Sequence, residues 1–149
     1  QQRYAKVRNL ADFRQLNVVG GFGANWFDID VWQANQLPYT VKDGEWRALY
    51  GMLSSKGGVN YFSRGVNEIL IEQQQHNDLA IEPHLLFEYQ RDFVFYLSKQ
   101  QAHLKPMMEA ALKQAQQSGL MDRLIKQYWT QHFDALMLDQ RTKIKLITP

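Results

Sequence analysis

Short β-prone runs alternating with segments of helical spacing constrain this 149-residue chain more than any other feature. Leu16-Asn17-Val18-Val19-Gly20 is an apolar run ending in Gly20-Gly21, which predicts a strand closed by a turn. From Asn25 to Leu37, Phe27, Val31 and Ala34 recur at helical spacing, and Pro38 closes the segment. Tyr39-Thr40-Val41 predicts a second strand, with Asp43-Gly44 as a turn. Trp46, Leu49 and Leu53 then share one face of a helix over Glu45 to Ser54. After Gly57-Gly58 a strand resumes over Val59 to Phe62, followed by a helix over Val66 to Gln74. Leu79-Ala80-Ile81 predicts a fourth strand, stopped by Pro83. Phe93-Val94-Phe95-Tyr96-Leu97 is apolar throughout and predicts a fifth strand in a central position. Three strand–helix units followed by further strands imply an α/β fold: a small three-layer domain with a mainly parallel sheet.

The rhythm changes after Ser98. Leu104, Met108, Ala111, Leu112 and Ala115 form one stripe of a helix from His103 to Gln117, ended by Ser118-Gly119. A second amphipathic helix runs from Leu120 to Phe133 through Leu124, Ile125 and Tyr128. Arg141 to Pro149 alternates Ile144 and Leu146 with Lys143 and Lys145, the pattern of a short extension. The expected division is therefore a sheet domain over residues 9–98, then two helices and a tail over 99–149.

Composition removes several classes of function. Seventeen basic against fifteen acidic residues leave a formal charge of +2, too balanced for a phosphate-tracking surface, so no nucleic-acid partner is expected. The absence of Cys excludes thiol nucleophiles, disulfides and thiolate metal sites. His76, His84, His103 and His132 show no i, i+3 or i, i+4 pairing, so no metal site is expected. The five Ser residues include no Gly-x-Ser-x-Gly elbow. The run Phe93 to Leu97 is far short of the roughly 20 residues of a membrane span, and Gln1-Gln2-Arg3-Tyr4 does not read as a signal peptide. Asp28 and Glu68 are the carboxylates available for acid–base work, with His84 a further candidate, but no catalytic role or cofactor is expected.

Two segments carry binding chemistry. Gly20-Gly21-Phe22-Gly23-Ala24-Asn25 lies between a strand and a helix, where unpaired amide N–H groups attract a small anion. As a dinucleotide fingerprint it is a poor match, because Trp26 stands where a third small residue belongs, although Asp43 lies at a suitable distance for a ribose contact. Read plainly, it is a glycine turn with no ligand. Arg64-Gly65 follows the third strand at its carboxyl end, where open α/β sheets bind ligands. An Arg there suits a carboxylate, and the plain alternative is an ion pair with Glu68 four residues on.

These residues together resemble the type II periplasmic solute-binding proteins of amino-acid-type ABC transporters. Asn9-Leu10-Ala11-Asp12-Phe13 with Leu16 to Gly21 is similar to the entry into that family's second lobe. Tyr50-Gly51-Met52-Leu53, Gly58-Val59-Asn60-Tyr61-Phe62 and Ser63-Arg64-Gly65-Val66-Asn67-Glu68-Ile69 resemble its middle segments in order and spacing. Trp26-Phe27-Asp28, Phe95-Tyr96-Leu97-Ser98-Lys99 and the helix Gly119 to Tyr128 continue the likeness over most of residues 9–133. The family's usual Asp, which holds a ligand amino group, falls near Arg64-Gly65 here, and Asn60 replaces another Asp.

The resemblance implies one lobe of a periplasmic clamshell that captures a small polar or anionic solute for a permease, without catalysis. Its ligand-binding residues would be Phe22, Gly23, Asn25, Trp26, Arg64 and Glu68. The family's first lobe has no counterpart here, so the chain is expected to be a piece whose last helices self-associate as a dimer or swapped dimer. An extracytoplasmic sensing domain is the alternative, and a dehydratase of the same fold a more distant one.

Overall fold

The computed structural model describes residues 2–55 and 57–149. Two compact units emerge: the chain up to Gln90 together with Leu136–Pro149, and the segment Arg91–Ala135.

The first unit is built on three parallel strands, β1 (Gly20–Gly23), β2 (Tyr39–Lys42) and β3 (Tyr61–Phe62), in the order β2-β1-β3. Their register pairs Gly20 with both Tyr39 and Tyr61. The helices α1 (Leu10–Gln15), α2 (Asp28–Ala34), α3 (Ala48–Ser54) and α4 (Ile69–Gln75) precede, separate and follow the strands. The α/β alternation read from the sequence is present. Its glycine-rich turn is not a turn: Gly20–Gly23 is the central strand itself. Neighbouring side chains explain the glycines. A Cβ at Gly20 would lie 2.9 Å from the Tyr61 ring, and one at Gly21 2.8 Å from Leu49. Asn60 ties the strands further, because its Oδ1 accepts from the Val19 N–H at 2.8 Å.

A second, two-stranded parallel sheet joins β4 (Leu85–Glu88) to β5 (Thr142–Lys145). Neither Leu79-Ala80-Ile81 nor Phe93–Leu97 is a strand. β4 begins two residues beyond Pro83, where both carboxylate oxygens of Glu82 accept the His84 N–H and Oε2 also accepts that of Leu85. Arg141 fixes the incoming tail by donating to the carbonyls of Leu136, Glu82 and Leu85. The tail thus belongs with the first unit, unlike the expected grouping of residues 99–149.

The core gathers Val7, Phe13, Val18, Phe22, Val31, Trp32, Leu37, Ile144 and Leu146. Trp32 is its centre: edge contacts reach Phe22 and Phe87, and its Nε1–H donates to Tyr61 at 2.6 Å. Asn35, fully buried, pairs its side-chain amide with the backbone of Ile147, accepting at 2.9 Å and donating at 2.8 Å. This buried polar side chain is satisfied in the way such groups must be.

The second unit consists of a 3-10 segment, Lys99–Leu104, and the helices α5 (Lys105–Gln117) and α6, which spans Leu120–Leu136. Gly119 breaks them apart at φ +68°, as the C-terminal glycine rule anticipates. No residue of 91–135 is buried, and Phe93 and Tyr96 are 90% and 93% exposed. The expected central strand is therefore exposed coil, since an apolar run needs partner strands to become one.

Candidate functional site

In the order β2-β1-β3 the chain leaves β1 in one direction and returns to pair on its other edge. The β1/β3 boundary is a switch point, where loops diverge and open sheets leave a crevice at the strands' carboxyl ends. Residues that follow each strand meet there. Trp26 follows β1, Trp46 follows β2, and Phe62 and Arg64 end and follow β3.

Their rings form one cluster. Trp26 stacks with Phe62 at 5.9 Å between centroids and lies 5.4 Å from Trp46, while Tyr50 meets Phe62 at 5.3 Å. Trp26 reaches this position by crossing Gly23: a Cβ there would come within 2.7 Å of its indole. The glycine creates room for the Trp that the sequence pattern made an obstruction.

The Arg64 guanidinium sits 5.3, 5.0 and 5.1 Å from the rings of Trp26, Trp46 and Phe62, within cation–π range of all three. Its Nε and Nη2 donate to the two Glu72 oxygens, each at 2.6 Å, in a bidentate fork. Glu68 Oε2 stands 3.1 Å from Nη2. Nη1 has no acceptor among the described residues, and neither indole N–H of Trp26 or Trp46 has one. Tyr50 adds a 2.6 Å hydrogen bond to Glu72 and stacks on His76 at 3.7 Å.

The electrostatics follow from this packing. Burial pushes the Glu72 carboxyl up, but the hydrogen bonds from Arg64 and Tyr50 more than offset it and hold it below the ordinary range. Burial draws Arg64 down, yet Glu72 and Glu68 raise it overall, so the guanidinium stays charged. Burial, with the Glu72 carboxylate beside it, pushes the Tyr50 phenol up.

The residues expected to bind ligand divide into two groups. Trp26, Arg64 and Glu68 share this cluster, and Gly23 borders it. Phe22 does not: it is fully buried and packs on Trp32 in the core. Several of the amides expected to receive an anion are also engaged. Gly20 and Ala24 donate to the carbonyls of Pro38 and Lys42, and Trp26 to that of Gly23. Asn25 is an exposed turn residue at φ 64°. Asp28 hydrogen-bonds Tyr89, whereas Glu68 faces Arg64, so the two carboxylates are engaged by different partners. Trp46, Phe62, Tyr50 and Glu72 were missed by the sequence reading. Applying the carboxyl-end rule to every strand would have found Trp46.

Fold and site define an α/β chain with an aromatic–arginine cluster at the carboxyl ends of a small parallel sheet. No family model, curated protein or solved structure matches the chain. Among the described residues, no His, Asp and Glu side chains gather as a metal site, and no helix is long and apolar enough to cross a membrane.

Proposed function

We propose that this chain is a solute-capturing lobe of a periplasmic, ABC-type uptake system and that it performs no catalysis. The carrying observation is the convergence of Trp26, Trp46, Phe62 and Arg64 on the switch point of the sheet. Three half-buried rings offer a flat apolar wall, and the unpaired N–H groups offer donors to a small polar or anionic, amino-acid-like solute. The resemblance of residues 9–133 to the solute-binding family supports the same reading and supplies the permease as partner. Glu72 is the group that holds Arg64 in place, a role expected of Glu68 alone.

Calorimetry with amino acids and organic acids tests this directly. Binding is expected in the weak range, because one lobe covers one side of a solute where a tight site buries 70% or more. Trp46→Leu should abolish it. Heats indistinguishable from dilution across the panel, or binding unchanged by Trp46→Leu, would overturn the reading.

The second unit is the surface through which a second copy associates. Eleven large apolar side chains of residues 91–135 are at least 39% exposed. With aromatic side chains of 150–250 Å², they present on the order of 1,000 Å² of apolar surface. A standard interface buries about 800 Å² per partner.

A further inference from the structure

Resting on the solute-capture reading, we infer that Glu68 occupies the place of the solute's carboxylate and must be displaced when a carboxylate ligand binds. The two acidic partners of Arg64 differ in kind. Glu72 makes two 2.6 Å bonds, is held by Tyr50, and has a side chain 20% exposed. Glu68 makes one 3.1 Å contact from a side chain 46% exposed. The first is a fixed support, and the second is an exchangeable surface pair of the weak kind.

What Glu68 touches is a carboxylate subsite. The same Oε2 that faces Arg64 accepts from the Gly65 N–H at 3.3 Å. A cationic donor and a backbone N–H converge on one oxygen, and the same guanidinium, whose Nη1 has no acceptor among the described residues, lies against the Trp26 and Trp46 rings. Gly65 lets the Asn67 and Glu68 side chains close on its backbone: a Cβ there would stand 2.5 Å from Asn67 Oδ1 and 3.1 Å from that Glu68 oxygen. Charge supports exchange over simple addition. Arg64 with Glu68 and Glu72 carries −1, so an added anion would meet repulsion. A ligand carboxylate that replaces Glu68 keeps the local balance, while Glu68 swings into water. The ligand class is therefore a monocarboxylate with a flat apolar body. An ammonium group would have to share Glu72 with Arg64 and Tyr50, whose three hydrogen bonds already engage both of its oxygens.

The probes are phenylacetate, acetate and phenethylamine, titrated into the chain with tryptophan fluorescence as the readout. Phenylacetate should bind more tightly than either other probe. Glu68→Gln, at an exposed position, should tighten phenylacetate binding about 2- to 5-fold, the worth of the weak pair removed. Arg64→Lys, which loses the fork, should weaken it. Weaker phenylacetate binding in Glu68→Gln, or a preference for phenethylamine, would overturn the displacement mechanism and leave solute capture standing. No response to any probe would contradict both.

Discussion

Arg64 supports the fold through Glu72 and, under the proposed function, also recognises the solute. Its Nε–Nη2 edge is spent on Glu72, and its Nη1 corner faces no acceptor among the described residues. An arginine that only awaited a ligand would leave stability unchanged on removal. Arg64→Ala instead strands the partly buried Glu72 carboxylate, and thermal or urea unfolding should register a loss of about 1–3 kcal/mol. The pH dependence has a definite sign. Glu72 has a folded pKa below its ordinary 4.5, so its contribution is present above that pH and lost as pH falls through the folded value. The stability gap between wild type and Glu72→Gln should narrow steadily below pH 4.5. A constant gap down to pH 3 would mean that the Arg64–Glu72 fork contributes nothing.

At the scale of elements, the strands β2 and β3 and the helices α2 to α4 were legible in the sequence because hydrophobic period is a local property. What escaped was set by partners far along the chain. Gly20–Gly23 reads as a turn until Tyr61, Leu49 and Trp26 are seen to occupy the space of its missing side chains. β4 lies at Leu85–Glu88 because Thr142–Lys145 returns to pair there, across a connection long enough for a parallel crossover. Phe93–Leu97 had every intrinsic mark of a buried strand and lacks only strands to pair with. In the candidate site, Trp26, Arg64 and Glu68 were visible from strand ends, whereas Glu72 depended on how α4 turns toward Arg64. The return of the tail rests on Asn35. Asn35→Leu leaves the Ile147 N–H and carbonyl without their partner, at about 1–3 kcal/mol for each group. Chemical denaturation should show that loss. A variant as stable as wild type would mean that the tail docks without this amide.

At the scale of the whole molecule, the proposed function gives the two units different tasks: solute capture at the strand ends of the first, and self-association through residues 91–135. Light scattering should report a dimer at micromolar concentration, and Leu112→Asp with Leu124→Asp should return it to monomer with the first unit still folded. A strict monomer at high concentration would refute self-association without touching solute capture. The four tryptophans provide the most direct reading of that central claim. Trp26 and Trp46 line the site, Trp32 is locked in the core on Tyr61, and Trp129 lies in the second unit beside His132. In a nitrogen–proton correlation spectrum, titration with a carboxylate solute should move the Trp26 and Trp46 indole signals together while those of Trp32 and Trp129 stay in place. Movement confined to Trp129, or four stationary signals at saturating solute, would contradict a binding site at the strand ends.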